Sequence, residues 1–219
     1  WSAPFLDMAS QRAEVGQYRD LVKPITSRLR GDGYATSNAR IIYRMLQLGL
    51  TGDAWSLFSL VTPHVDAVAF RSFTPSGPNL DPKWQPLSWT LGQSDDISAS
   101  VDADGTIDVT VAPTARGLIA SRDVAVTSSS TYLLGHRAIY AAGSPRASLR
   151  WSAYCAAENG PQLIIDRFVP AGANQKLVQF SVEVPENCNL VRLELSALGS
   201  EGQLSSMVKI TDLTLAKTN

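Results

Sequence analysis

Two arginines and a tyrosine carry the side chains best suited to recognising a polar ligand. Arg137 lies in the segment 131–140, and Arg150 and Tyr154 lie in the segment 148–155. Apolar and polar residues alternate in both segments, and every second side chain of a strand points to the same face. If the two strands are neighbours, all three side chains project from one outer face. An aromatic ring covers the C–H surface of a sugar and a guanidinium bonds its hydroxyls or a uronate, so the patch predicts a sugar site. The alternative is a solvated face along which the arginine stems lie.

Each of the two cysteines lies at one end of a predicted strand. Cys155 ends the segment 148–155, and Cys188 opens the segment 188–195. A disulfide between them predicts a sandwich stapled once, in a protein outside the reducing cytosol, either periplasmic or extracellular. The alternative is a pair of inert thiols in the core.

Motifs for catalysis and for metal binding are missing from the sequence. There is no nucleophile elbow, no zinc-protease motif, no phosphate-binding glycine loop and no dinucleotide fingerprint. Glu183 and Glu194 lie in predicted strands and could face the same side, but nothing distinguishes them from ordinary surface charges. With only His64 and His136 and no Cys-x-x-Cys, a zinc site is not expected. The segment 102–105 lacks the later acidic ligands of a calcium loop and predicts a hairpin turn. We therefore expect no catalytic residue.

Composition and charge exclude two classes of partner. The 219 residues include 19 basic and 20 acidic side chains, for a net charge of -1, which gives no field that would attract nucleic acid. No apolar run has the length of a membrane span.

The chain begins at Trp1 without an initiator methionine, and we interpret it as part of a longer protein, so the lack of a targeting segment says nothing about location.

The periodicity of apolar residues changes near position 75. Helical spacing predicts a helix over residues 9–21 and a hairpin of two helices between residues 36 and 61. After residue 87 the period is two, which predicts an antiparallel β-sandwich or jelly roll. The expected domains are a helical part over 1–72, a linker rich in Pro, Ser and Gly over 73–86, and a sandwich over 87–219. The predicted strands are 87–91, 97–101, 106–111, 117–126, 131–140, 148–155, 162–169, 177–184, 190–197 and 208–215.

Three tryptophans and one histidine have predictable environments. Trp89 and Trp151 fall at core positions of strands, so packing is the better interpretation for both. Trp84 lies in the linker, where we expect it to pin the linker to the sandwich. His136 shares a face with core residues and is expected to be buried or partly buried.

The helical hairpin resembles a tetratricopeptide-type repeat. The similarity lies in Leu48-Gly49 at the end of its first helix and in Asp53-Ala54 at the start of its second. Such hairpins need neighbouring repeats to bury their open face, so the resemblance implies a helical array upstream. The alternative is a small helical cap packed on the sandwich.

The β region resembles the carbohydrate-binding-module-like jelly rolls of the galactose-binding-like group. The similarity lies in residues 104–109, 124–126, 130–135, 180–185 and 210–215. With residues 87–91, 149–151 and the two cysteines, the region also resembles the C-terminal domain of tetratricopeptide-repeat proteins of Gram-negative bacteria with envelope or exopolysaccharide functions. The resemblance implies an extracytoplasmic, non-catalytic module. It also implies a structural calcium ion near the final strand, where Asp212 is the matching position; no other cofactor is expected.

We therefore expect a non-catalytic binding and scaffolding module of the bacterial cell envelope, with a polysaccharide or a protein as its partner. A polysaccharide would be bound by the sandwich, and a protein would dock on the helical part. Two alternatives remain at this point: a purely structural protein-interaction module, and an accessory region of a carbohydrate-active enzyme.

Overall fold

A helical part packs against the end of a β-sandwich. The structure is a computed structural model that describes residues 32–157, 160–170 and 175–218. The helix predicted over residues 9–21 lies outside the described residues. Two five-stranded antiparallel sheets form the sandwich and the helices precede it, which confirms the predicted fold class.

The helical hairpin forms because its apolar residues recur on one side of each helix. The described helices are α1 (Ala35–Gln47), α2 (Thr51–Val61) and α3 (Ala67–Arg71). Gly49 has a φ of 76°, the left-handed conformation that commonly ends a helix, and it turns the chain into α2.

The buried face of the hairpin is covered by residues that follow it in the sequence. The helical core includes Trp84 and Leu87, which precede the first strand, and Leu190 of the sandwich. The hairpin is thus packed as a cap on the sandwich. The upstream helical array stays a prediction.

Residues 73–86, expected as a linker, form two short 3-10 helices, Gly77–Leu80 and Pro82–Trp84. The side chain of Asn79 is buried and organises this segment, since its Nδ2 donates to the carbonyls of Ser72 at 3.0 Å and Thr74 at 2.9 Å. The exact division of the chain into domains stays a prediction.

Trp84 pins this segment to the helices. Its ring centroid lies 4.9 Å from that of Phe58 and 5.9 Å from that of Phe70. Its ring thus packs on aromatic side chains of α2 and α3, in a core that also includes Leu190 of the sandwich.

The sandwich consists of strands that lie close to the predicted segments. The first sheet has the order β1-β4-β9-β6-β7 and the second has the order β2-β3-β10-β5-β8, with every neighbouring pair antiparallel. The strands are β1 (Thr90–Leu91), β2 (Ile97–Val101), β3 (Ile107–Val111), β4 (Arg116–Ala125), β5 (Thr131–Tyr140), β6 (Ser148–Ala157), β7 (Gly160–Phe168), β8 (Leu177–Glu183), β9 (Leu190–Leu198) and β10 (Ser206–Lys217). The chain crosses repeatedly from one sheet to the other, as in a jelly roll.

The core lies between the inner faces of the two sheets. Trp89 and Trp151 are both buried there, as predicted. The two cysteines form a disulfide, with their Cα atoms 5.8 Å apart, which confirms the predicted pair. The bond joins the end of β6 to the turn before β9, next to the place where the helical part docks.

His136 is fully buried in this core. Its Nδ1 accepts a hydrogen bond from Trp151 Nε1 at 3.3 Å, and its Nε2 has no hydrogen-bond partner among the described residues. Burial lowers the pKa of His136 from 6.5 to about 4, because the surrounding apolar side chains disfavour the imidazolium. The folded protein therefore holds a neutral imidazole at neutral pH.

We expect acid to destabilise the protein through His136. Between the ordinary pKa of histidine and the lowered value, the unfolded chain binds a proton that the folded chain does not. The free energy of unfolding should therefore fall by about 3 kcal/mol as the pH drops from about 6.5 to about 4. Urea unfolding at several pH values measures this loss.

Carboxylates also titrate in this pH range, so a comparison with variants is needed to isolate the contribution of His136 to the loss of stability. His136→Asn should remove the part of the loss that His136 causes, whereas His64→Asn, at an exposed position, should not remove that part. An identical pH profile for the parent protein and His136→Asn would contradict this expectation.

Candidate functional site

The three residues predicted to form one patch lie on two different sheets. Arg150 and Tyr154 are on β6 of the first sheet, whereas Arg137 is on β5 of the second. The prediction that they project together was wrong for Arg137, because the chain changes sheet between β5 and β6 and these strands are not neighbours. Arg137 faces outward on the other side, where its Nε lies 2.6 Å from Asp212 Oδ2.

Arg150 and Tyr154 share an open face of the first sheet with residues of both neighbouring strands. The strand register places three rows of side chains across β9, β6 and β7. The rows are Ser196, Arg150 and Phe168; then Glu194, Ser152 and Asp166; then Arg192, Tyr154 and Leu163. We refer to these nine residues as the outer face. With strands about 4.8 Å apart and rows almost 7 Å apart, they cover a patch suited to a short stretch of an extended ligand.

A β-bulge makes this face possible. The pairing of β6 with β7 shifts by one residue between Ala153 and Tyr154. Leu163 and Asp166 are an odd number of residues apart and in a regular strand would point to opposite faces. The extra residue brings both to the outer face, while Ile164 and Ile165 pack against the core.

A charged pair beside an exposed aromatic ring forms one end of the outer face. Arg150 donates two hydrogen bonds to the two carboxylate oxygens of Asp166, which fixes the plane of its guanidinium. The guanidinium carbon lies 5.4 Å from the ring centroid of Phe168, and Phe168 is 62% exposed. The paired carboxylate raises the pKa of Arg150, and the guanidinium lowers the pKa of Asp166, so both groups stay charged near neutral pH.

The other end of the outer face is bounded by α1. Arg192 donates to both oxygens of the buried Asp123 at 2.8 and 3.1 Å, and the hydroxyl of Tyr43 on α1 donates to the same carboxylate at 2.9 Å. Burial, and next the Asp123 charge, raise the pKa of Tyr43, and its bond to Asp123 raises the pKa of Arg192. Gln47 also donates to the carbonyl of Ala156 at 3.1 Å. The helical part thus closes one end of the face.

The structure separates the two glutamates that the sequence analysis paired. Glu183 lies on β8 of the second sheet and Glu194 on β9 of the first, so the expectation that they could face one side was wrong. Asp166 and Glu194 flank Ser152 in the middle row of the outer face, and the bond from Arg150 lowers the pKa of Asp166.

A concave region lies between the helices and the end of the sandwich. This cleft has a volume of about 570 Å³. Its polar and aromatic lining includes Thr51, Trp55, Arg71, Phe73, Arg122, Asp123, Thr127, Ser128, Tyr132 and Asn189. This cleft could not be found from the sequence, since its residues are scattered along the chain. The one feature of the sequence that could have indicated it is Arg122, a charged residue whose side chain points to the same face of its strand as the core residues do.

Two expectations from sequence concern metals and membranes. The carboxylate of Asp212 is engaged by Arg137, and in residues 32–157, 160–170 and 175–218 no group of three or more His, Cys, Asp or Glu residues could hold a metal ion. Calcium at Asp212 therefore stays a prediction from the resemblance. None of the helices that the structure describes is long and apolar enough to cross a lipid bilayer.

The chain is similar in structure to carbohydrate-binding modules. One solved module (CBM4) has a TM-score of 0.49 at 16% identity, covering 67% of this chain and 97% of its own. The N-terminal cellulose-binding domain of β-1,4-glucanase C from Cellulomonas fimi has a TM-score of 0.44 at 13% identity, covering 68% of this chain and 95% of its own. A family 16 carbohydrate-binding module has a TM-score of 0.39 at 12% identity, covering 67% and 99%. No protein-family model and no curated protein sequence matches the chain. Similarities at this level carry no argument about a ligand.

Proposed function

We propose that this protein is a non-catalytic polysaccharide-binding module and that the outer face of its first sheet is the binding surface. The observation that carries this proposal is the Arg150–Asp166 pair beside the exposed ring of Phe168, in register with Ser152, Glu194 and Tyr154. A sugar presents hydroxyls around its edge and C–H groups on its faces. The charged pair and the hydroxyl of Ser196 can bond the sugar hydroxyls, and the aromatic rings can cover the C–H groups.

The composition of the outer face favours a sugar over a protein partner. The cores of protein interfaces are depleted in charged residues. Here charged side chains occupy all three rows, and the large exposed apolar residues among the nine are Leu163 and Phe168, both on the edge strand β7. A hydroxyl-rich ligand satisfies such a surface better than an apolar protein patch does.

We further propose that the module acts in the periplasm or outside the cell. The Cys155–Cys188 disulfide supports an oxidising compartment. The association with the bacterial envelope and with an exopolysaccharide, and the tetratricopeptide-type context of the helices, extend this proposal from the sequence resemblance.

Loss of the exposed ring should weaken polysaccharide binding. Phe168→Ala is expected to lower the affinity about tenfold, since an aromatic contact contributes about 1–1.5 kcal/mol. A glycan array identifies the ligand, and affinity electrophoresis with that polysaccharide measures the change. Arg150→Ala and Tyr154→Ala should weaken binding as well.

Leu177→Ala is the matched control, because Leu177 is an exposed apolar residue on the opposite sheet. It should leave the affinity unchanged. A parent protein that binds no glycan on the array, or equal losses in Phe168→Ala and Leu177→Ala, would overturn the proposed function and favour a structural module.

A further inference from the structure

The cleft between the helices and the sandwich carries more positive charge than its own residues neutralise. Among the described lining residues Asp123 has the only carboxylate, and Arg192 and Tyr43 already hold it. Arg71 and Arg122 also line the cleft, and in the part of the chain that the structure describes neither forms an ion pair with a carboxylate.

Arg122 supplies the deeper of the two charges. It is 3% exposed, and its three nitrogens donate to the carbonyls of Leu87, Ser72 and Phe70. Carbonyls orient a guanidinium but do not cancel its charge. Burial lowers the pKa of Arg122 to about 10, which is the expected effect on a cation without a nearby anion. It is still charged at neutral pH, and an anion bound in the cleft would offset its desolvation.

Arg71 supplies the second charge from the helical side. It is exposed, its Nε donates to the carbonyl of Ala67 at 3.1 Å, and its guanidinium carbon lies 5.3 Å from the ring centroid of Trp55. The contact with the ring and the bond to Ala67 hold the guanidinium in place. The bond to Ala67 uses one N–H group of Arg71, and the other N–H groups can donate to an anion that enters the cleft.

The remaining lining suits a sugar ring better than a bare anion. Trp55 comes from the helical side, and Tyr132 comes from the sandwich, where its hydroxyl accepts from the backbone N–H of Thr127 at 2.9 Å. Thr127 and Ser128 add hydroxyls from the loop that joins β4 to β5. A cleft of about 570 Å³ holds a small molecule with room for water.

We propose that this cleft is a second binding site, which takes a single sugar residue carrying a carboxylate, a uronic acid. Arg71 binds the carboxylate, and the uncompensated charge of the buried Arg122 attracts it from deeper in the cleft. The aromatic rings cover the C–H surface of the pyranose, and the loop hydroxyls bond its hydroxyl groups. The cleft shares no side chain with the outer face, so each site can be present without the other.

NMR of the full 219-residue chain with D-glucuronate tests this assignment. Glucuronate should shift the indole N–H signal of Trp55 in a saturable manner, and D-glucose at the same concentration should not. Arg71→Gln should weaken glucuronate binding about tenfold, the value of one charge-assisted hydrogen bond, and Arg71→Lys should weaken it less. Arg116→Gln, at an exposed arginine of β4 outside the cleft, should have no effect.

The assignment would be overturned by the absence of a saturable shift of Trp55 with glucuronate. It would also be overturned if glucose or inorganic phosphate bound as tightly as glucuronate. Phe168→Ala separates this site from the outer face, because it should leave the glucuronate affinity unchanged. If Phe168→Ala abolishes the Trp55 shift, the two sites are not independent and the assignment to the cleft fails.

Discussion

Replacing Arg122 by methionine should lower the free energy of unfolding by about 3 kcal/mol. The variant leaves the carbonyls of Phe70 and Leu87 without a donor, while the carbonyl of Ser72 keeps the bond from Asn79. Two orphaned carbonyls cost about 2–6 kcal/mol, and the lost bond between the guanidinium and Ser72 costs about 1.5–3 kcal/mol more. Against this, the variant no longer buries a cation whose pKa is lowered from 12.5 to about 10, which returns about 3 kcal/mol. The lost hydrogen bonds outweigh that gain, and methionine preserves most of the packing of the long side chain.

The loss should be concentrated where the helices meet the sandwich. Arg122 belongs to β4, and its three acceptors lie on or after α3 and before β1, so it joins the two parts of the fold. Urea unfolding measures the total loss of unfolding free energy. Hydrogen exchange should show that residues 67–89 lose protection before the sandwich does. Arg122→Lys should be intermediate, because an ammonium group cannot reach three divergent acceptors.

Arg116→Met is the matched control, since Arg116 is exposed on the same strand. Its stability should stay within about 0.5 kcal/mol of the parent. If Arg122→Met unfolds at the same urea concentration as Arg116→Met, then Arg122 does not hold the helices to the sandwich.

Removing the disulfide should have an effect of similar size. Cys155 and Cys188 are separated by 33 residues, and a cross-link over such a loop restricts the unfolded chain by about 3–4 kcal/mol. The bond also steadies the turn before β9, where Asn189 donates to the carbonyl of Gln47 at 3.3 Å and Leu190 enters the helical core. Reduction should therefore lower the melting temperature and loosen the docking of the helical part.

Thermal unfolding with and without reductant measures this contribution. The double variant with alanine at both positions should melt near the temperature of the reduced parent and should not respond to reductant. Equal melting of the parent with and without reductant would show that the cross-link contributes no stability.

The outer face illustrates how far sequence reasoning reaches. Alternation in the segment 148–155 is enough to place Arg150 and Tyr154 on the face of the strand that Trp151 does not share. The reason is that side-chain direction in a strand is a local property. It could not place Arg137, whose sheet depends on where the chain crosses between layers. Nor could it place Asp166 with Leu163, since a bulge that depends on pairing with β6 brings them to one face.

The cleft was beyond sequence reasoning for a related reason. Its aromatic and charged residues come from α2, the end of α3 and the residues just after it, β4 and β5, and no spacing along the chain connects them. Trp84 shows the same limit: its burial was foreseeable from its size, but its partners Phe58 and Phe70 were not.

By itself the sequence determined the properties that act over a few residues: the change from a helical to a strand period, the inward tryptophans, and a cysteine at one end of each of two strands. Only the tertiary structure decided which strands are neighbours and which face the helices cover. It also decided that two arginines share a cleft in which, among the described lining residues, no carboxylate is free to neutralise them. The physical reason is that hydrogen-bond geometry sets local periodicity, whereas strand order and the docking of elements follow from burying apolar surface and buried charges across the whole chain at once.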